Sequence, residues 1–370
     1  MKIMHLLAAG GTGGIETLCK NYAKYSAHDN TFVIVWGKDG ATYLEMRKNG
    51  ADVIQLNASK KRPLQTLKRI DAIRREQKID AVVVHHAAPL AYLYLALVKK
   101  KAGNHIRTIT YAHGNAVDMY HIHDRRGRFL RKNVLRYTLR NTDQIVAISQ
   151  SVKESLVKYL NAPEKKICVV YNGVDTKKFN NADLHPFSYP RRLIYVGRLV
   201  REKGVQITLK ALADLSEKFE WGFQIIGDGP FRKELEQLTA ELKLRDKVQF
   251  LGTRSDIPRL LEKADIFIHM PIWEEGFGIA VVEAMAAGAL CVCADSGAVP
   301  EIIRDGENGI LVHDNSQAEL RDCLEKLIGQ EEDNHYQIRK TARENSERYS
   351  IDAFSRTLDS VLSNNGKVQI

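Results

Sequence analysis

The chain is poor in cysteine, in proline and in long apolar runs. Its five cysteines are odd in number and scattered. They give no disulfide framework and point to a reducing compartment. Cys291 and Cys293 share one face of one strand and read as core packing. The apolar stretch at residues 1–9 ends in glycines, so it reads as a first buried strand and not as a signal peptide. Residues 81–98 come nearest to a membrane span, but His85, His86 and Pro89 interrupt them and the stretch is short for a bilayer. A strand, a turn and a helix fit better. Acidic residues are scarce in the first half: residues 1–185 carry 31 Lys+Arg against 15 Asp+Glu, and residues 186–370 carry 24 against 30. A cationic first half attracts nucleic acid, an anionic membrane or an anionic substrate. Nucleic acid is the poorest fit, because no aromatic-interleaved RNA module, finger or helix-turn-helix signature is present.

What is there is an ordinary globular composition, 44% hydrophobic and 27% charged. At 370 residues two domains are expected. Apolar runs of strand length alternate with helical patterns. Strands are predicted at residues 1–7, 31–35, 53–55, 81–84, 107–111, 144–148 and 167–170, then at 192–196, 222–226, 248–251, 266–270, 290–294 and 309–312. Helices are predicted between them, with Ser149 capping one over 150–160. Such alternation implies parallel, doubly wound sheets. The expectation is an α/β chain of two Rossmann-like domains, 1–185 and 186–345, with residues 180–190 as linker. An amphipathic helix within 346–370 completes the chain. Ligands of such sheets lie beyond the carboxyl ends of the strands, and two facing domains bury one in the cleft between them.

The most informative segment is Trp273-Glu274-Glu275-Gly276-Phe277-Gly278-Ile279, continuing to Gly288. An apolar strand runs into it, two glycines open a helix, and Glu283 rides on that helix. A strand, a glycine loop and a helix N-terminus make a site for an anion. The surplus is the carboxylate at each end, Glu275 and Glu283, with seven residues between them. Carboxylates accept hydrogen bonds from vicinal hydroxyls, so the set suits a diphosphate held between two sugars. Glu275 and Glu283 as acid and base of a hydrolase is the competing assignment. Arg198 and Lys203 follow a buried strand in Gly197-Arg198-Leu199-Val200-Arg201-Glu202-Lys203-Gly204; on pattern alone they read equally as surface charge. Gly11-Thr12-Gly13-Gly14-Ile15-Glu16 opens the first helix, and Glu16, standing where a dinucleotide fingerprint has its third glycine, disfavours NAD.

Together with Tyr171-Asn172-Gly173-Val174-Asp175 and Gly227-Asp228-Gly229-Pro230, these segments resemble retaining glycosyltransferases of family 4, with the GT-B fold, over nearly the whole chain and most closely in the second half. The resemblance implies that Arg198 and Lys203 bind the donor diphosphate, Arg201 having no matching role. It implies that Glu275 contacts hydroxyls of the donor sugar and Glu283 the ribose. Gly13, Gly14, Gly276, Phe277 and Gly278 bring backbone N–H groups to sugar or phosphate. His113, in Tyr111-Ala112-His113-Gly114-Asn115, matches the histidine that lies near the donor sugar and the attacking hydroxyl. His85 and His86 are expected on the acceptor side. No D-x-D motif is present, and His121 and His123 lack a ligand set, so chemistry without metal or other cofactor is expected. The family retains anomeric configuration; with no evident nucleophile, same-face attack is the expected route. The C-terminal helix is expected to cross back onto the first domain.

Residues 123–140 form a basic amphipathic helix with Arg125, Arg126, Arg128, Arg131, Lys132, Arg136 and Arg140 interleaved with Phe129, Leu130, Val134, Leu135, Tyr137 and Leu139. Residues 60–75 form a second basic stretch. Either an anionic membrane interface or a solvated helix face explains them. The resemblance implies a nucleotide diphosphate sugar donor, UDP by family frequency; the membrane reading adds a glycan or lipid-linked acceptor and a cytoplasmic protein peripheral on the inner face of the cell membrane. A soluble acceptor, or a silent nucleotide-sugar-binding subunit, is the alternative.

Overall fold

Two parallel sheets, each built from hydrophobic strands that are nearly all buried, carry the molecule. The computed structural model describes residues 1–8, 14–36, 41–48, 50–59, 61–85, 89–102, 105–116, 125–180, 182–329 and 335–363. The chain divides into two compact units, Met1–Gly173 with Ile351–Ile370, and Val174–Ser350.

The first unit holds β1 (Lys2–Leu7), β2 (Asp29–Ile34), β3 (Asp52–Gln55), β4 (Ala81–His85), β5 (Arg107–Ala112), β6 (Gln144–Ala147) and β7 (Ile167–Val169). Its sheet order is β3-β2-β1-β4-β5-β6-β7, with every pair parallel. Around it run α1 (Gly14–Tyr25), α2 (Ala41–Lys48), α3 (Pro63–Glu76), α4 (Pro89–Ala102), α5 (Arg125–Asn141) and α6 (Gln150–Leu160). Strand β4, Ala-Val-Val-Val-His, is buried along its whole length, as a central parallel strand covered on both faces requires. Ser149 caps α6 through its side chain, accepting from Val152 N at 3.1 Å.

The second unit holds β8 (Arg191–Val196), β9 (Trp221–Ile226), β10 (Val248–Gly252), β11 (Ile266–His269), β12 (Leu290–Ala294) and β13 (Ile310–Val312), ordered β10-β9-β8-β11-β12-β13. Its helices are α7 (Val205–Ala213), α8 (Arg232–Glu241), α9 (Ile257–Glu262), α10 (Ile279–Ala287), α11 (Val299–Ile302), α12 (Gln317–Gly329) and α13 (Tyr336–Ser346). Cys291 and Cys293 lie fully buried in β12. The two doubly wound α/β sheets are those the alternating pattern predicts.

Helix α13 has no counterpart in the sequence reading, and its chemistry explains why. Its buried face presents Arg339 where a hydrophobic residue is expected. The Arg339 guanidinium donates to Gly288 O at 2.8 Å, and Arg343 donates to Ala287 O at 2.9 Å. These carbonyls end α10, where an α-helix leaves its last C=O groups unsatisfied and favours positive charge. Period counting of apolar residues cannot see a helix whose inner face carries a pair of arginines.

The chain then returns to the first unit as α14 (Ile351–Ser363), which packs on α1. Phe354, Leu358, Val361 and Leu362 are its buried stripe. Asp359 fastens it: the carboxylate accepts from Tyr22 Oη at 2.5 Å, Ser26 Oγ at 2.8 Å and Ala27 N at 2.8 Å.

Candidate functional site

In the second unit the strand order reverses between β8 and β11, which are hydrogen-bonded neighbours. Ligands of open α/β sheets bind outside the carboxyl ends of strands at such a reversal. Arg198 and Lys203 follow β8, and Glu275 follows β11. Backbone bonds stitch these loops together: Leu199 N donates to Asp228 O at 3.0 Å and Ile272 N to Glu202 O at 2.8 Å. Gly204 allows the closest approach. Its φ is +71°, and a β-carbon there would overlap the carbonyl of Met270. Only glycine meets both demands, and this places Lys203 beside the loop that carries Glu275.

Glu275 is the hub. Its Oε2 accepts from Lys203 Nζ at 2.5 Å and from His269 Nε2 at 3.0 Å. Burial alone raises its pKa; the His269 hydrogen bond and the Lys203 charge outweigh that and hold the carboxyl well below the usual carboxylate range. Glu275 therefore stays ionised, with its side chain 13% exposed. Its backbone is clamped as well: Ala298 N donates to Glu275 O at 2.8 Å, and a β-carbon on Gly297 (φ +58°) would collide with the Glu275 main chain. His269 belongs to no motif singled out from the sequence. It ends β11, 3% exposed, and its Nδ1 is buried without a hydrogen-bond partner among the described residues. The available signal was a histidine closing an otherwise apolar strand just before the glycine loop.

Glu283 rides one turn into α10. Among the described residues its carboxyl has no hydrogen-bond partner, and burial pushes its pKa up to about 7. Part of its surface still faces solvent. No side chain caps α10, whose N-cap is Gly278 at φ +101°. The first N–H groups of an α-helix have no partner within it and carry partial positive charge. Phe277 turns its ring inward, edge-on to Tyr349 at 5.6 Å. Gly276 lies in the same loop, part-buried. Arg198 is exposed, and so is Arg201. The Arg198 carbonyl accepts from the buried Tyr195 hydroxyl at 3.2 Å, which holds its backbone at the strand end.

In the first unit the order reverses between β1 and β4. His113 follows β5, part-buried, with its ring stacked on Tyr111 at 4.3 Å. His85 closes β4 and is 4% exposed. It bonds His113 at 2.9 Å on one side and His5 at 2.9 Å on the other. His85 thus stands behind His113, and His5 is a third histidine that sequence motifs did not single out. Gly14 begins α1 and is exposed. Gly13, His86, His121 and His123 lie outside the described residues.

A family model described as "Glycosyltransferase Family 4" matches residues 12–178 and one described as "Glycosyl transferases group 1" matches residues 177–345. The chain belongs to the GT-B glycosyltransferases. An uncharacterized glycosyltransferase of Methanocaldococcus jannaschii is 29% identical over 280 residues, 75% of this chain and 72% of the relative. The N-acetyl-alpha-D-glucosaminyl L-malate synthase of Bacillus anthracis is 27% identical over 282 residues, 74% of this chain and 71% of the relative. Among solved structures, Anabaena HepE in complex with UDP-glucose has a TM-score of 0.83 at 22% identity, covering 98% of this chain and 99% of that one. Among the described residues of this glycosyltransferase, no helix is long and apolar enough to cross a membrane, and no group of three or more His, Cys, Asp or Glu is placed to hold a metal ion.

Proposed function

We propose that this enzyme transfers a sugar from a nucleotide diphosphate sugar, of the uridine class, to a hydroxyl on a glycan or lipid-linked acceptor, with retention of configuration. The observation that carries the reading is the Lys203–Glu275–His269 array beside the uncapped N-terminus of α10, with Arg198 standing exposed at the next strand end. As the sugar leaves, negative charge grows on the diphosphate oxygen. Fixed cations and N–H dipoles aimed at that oxygen stabilise the transition state. Arg198, Lys203 and the α10 N-terminus supply them and take the part a metal plays in other transferases. Glu275, kept ionised by its two partners, accepts from sugar hydroxyls, and Glu283 accepts from the ribose. Gly13, Gly14, Gly276, Phe277 and Gly278 contribute backbone. His113 attends the donor sugar and attacking hydroxyl, His85 supports it from behind, and His86 is assigned to the acceptor side. No carboxylate in these assignments serves as a covalent nucleophile, so same-face attack, with the diphosphate drawing off the acceptor proton, is the proposed route. The uridine assignment draws on HepE, solved with UDP and with UDP-glucose.

The basic first unit supports placing the enzyme peripherally on the inner face of the cell membrane. On α5, Phe129 is 71% and Leu130 63% exposed, beside exposed Arg131 and Arg140. Apolar side chains ringed by cations suit an anionic lipid interface. The second basic stretch is partly consumed by the fold, because Arg74 and Arg75 pair with Asp71 and Arg69 donates to the Leu56 carbonyl. A soluble acceptor is the second reading, favoured by the relative named for L-malate.

The test is turnover of a panel of nucleotide sugars, first as melting-point shifts and then by NMR of the product anomer. UDP-sugars are expected to raise the melting point, by RT ln(1 + [L]/Kd) in stability, and the product to keep the donor's anomeric form. No shift with any nucleotide sugar, or an inverted anomer, overturns the reading.

A further inference from the structure

Four groups in the first unit form one continuous hydrogen-bonded line: Asn30, His5, His85 and His113. His5 Nε2 lies 3.0 Å from Asn30 Oδ1, His5 Nδ1 lies 2.9 Å from His85 Nε2, and His85 Nδ1 lies 2.9 Å from His113 Nε2. The line crosses the sheet from β2 through β1 and β4 to the loop after β5. Asn30, His5 and His85 are all buried. The rings are held flat against neighbours: His5 stacks on Phe32 at 4.7 Å, His85 on Tyr111 at 5.0 Å and His113 on Tyr111 at 4.3 Å.

The direction of every bond in this line follows from its buried end. Asn30 Nδ2 sits 3.1 Å from the His28 carbonyl. A carbonyl only accepts, so the amide nitrogen faces His28 and the amide oxygen faces His5. An amide oxygen also only accepts, so His5 carries its proton on Nε2. A neutral imidazole has one N–H and one lone pair. His5 Nδ1 is therefore an acceptor, His85 must donate to it from Nε2, and His85 Nδ1 is in turn the acceptor for His113 Nε2–H. Cys19 Sγ, 3.9 Å from His85 Nδ1, is a thiol donor meeting that same lone pair.

We propose that Asn30, His5 and His85 are positioning residues that lock His113 into its Nε2–H tautomer, so that its Nδ1 presents a lone pair. Any group that meets Nδ1 must then bring a proton. A sugar hydroxyl fits; a phosphate oxygen does not. The inference rests on the reading that His113 serves the sugar end of the transfer, and it deepens that reading by assigning the atom.

Neutrality of the line is supported by its surroundings. Burial pulls the His5 pKa down to about 4 against the raising effect of Asn30 and Asp359, with His28 adding to the lowering. Burial, then His5 and His113, hold His85 well below its ordinary value. Tyr22, edge-on to His5, donates a hydrogen bond to Asp359, and its own pKa is raised by burial. Cys19 and Tyr111, the other groups against the line, are held in their neutral forms, chiefly by burial. Removing the Asn30 acceptor should thus change a proton order and not a charge.

The experiment is two-dimensional imidazole NMR on the full chain labelled with nitrogen-15 histidine, with single His→Gln variants for assignment. The expected result is Nε2–H at His5, His85 and His113, with no protonation of His5 or His85 between pH 6 and 8. Asn30→Leu removes the directing acceptor and should give mixed tautomers at His113. Asn30→Gln keeps a neutral amide oxygen as acceptor and should restore one. Turnover of a UDP-sugar should fall about 10–100-fold in Asn30→Leu, the size of loss seen when a metal-bound histidine loses its orienting partner, and recover in Asn30→Gln. An Nδ1–H tautomer at His113 in the unaltered protein overturns the proposal. The spectra need no substrate, so that failure leaves glycosyl transfer standing. Absent turnover with the tautomers as stated would instead sink the transfer reading.

Discussion

Lys203 and Glu275 stabilise one another, and that coupling decides what each substitution does. In Lys203→Ala the carboxylate keeps His269 as partner, so the fold should survive. The transition-state cation is lost, and kcat with a UDP-sugar is expected to fall about 10²–10³-fold, the cost of one such donor in comparable sites. Unchanged turnover in a steady-state assay would remove Lys203 from the diphosphate. Glu275 and Glu283 also bear opposite pH signatures. The Glu275 carboxyl is depressed by its partners, so its stabilising contribution is present above the unfolded carboxyl value near ~4.3 and is lost as pH falls through the folded one. The Glu283 carboxyl is raised by burial, so its contribution is full below ~4.3 and is lost as pH climbs through about 7. Glu283→Gln stays neutral throughout. Relative to the unaltered protein it should gain stability between those limits, on the order of 2–3 kcal/mol. Urea unfolding of both proteins at pH 4.5 and pH 8 reads the difference; a constant difference contradicts the assignment.

At the scale of elements, α14 closes the first unit through one carboxylate. Asp359 accepts hydrogen bonds from two hydroxyls and one backbone N–H on α1 and the turn after it. A hydrogen bond to a charged group is worth about 1.5–3 kcal/mol. Asp359→Ala should therefore lower the unfolding free energy of the first unit by at least that amount, read as a lower denaturant midpoint at unchanged slope, while the second unit's transition stays put. Coincident shifts of both transitions would show that the helix matters to both units. The apolar stripe of α14 was readable as a period of 3.6, and the strands of both sheets as short continuous apolar runs. Helix α13 was not, since Arg339 and Arg343 set their guanidinium groups on the carbonyls that end α10 and leave only Ile338 and Ala342 as apolar residues of its inner side.

For the whole molecule, charge is the dominant asymmetry. The excess of cations over residues 1–185 sits in the unit that also exposes Phe129 and Leu130. Binding to vesicles rich in anionic lipid should follow at low ionic strength and weaken as salt shortens the Debye length from ~10 Å at 0.1 M to ~3 Å at 1 M. Phe129→Ser with Leu130→Ser should reduce the bound fraction at every salt concentration. Vesicle flotation measures both. Recovery of all the protein in the lipid-free fraction at low salt would leave the soluble acceptor as the reading.

Local pattern alone determined the two α/β sheets, the glycine loop into α10 and the paired carboxylates, because strand period, turn chemistry and helix capping are properties of neighbours in the chain. Gly204 and Gly297 were visible as residues, but their purpose was not: each makes room for a backbone far away in sequence. Tertiary structure alone lined up His5, His85 and His113, since parallel strands join residues that are up to 80 positions apart, and the folded loop turned Glu275 back onto His269, six positions before it. A lone histidine at a strand end carries no period and no spacing. Its role exists only once the neighbouring strand supplies the atom it bonds.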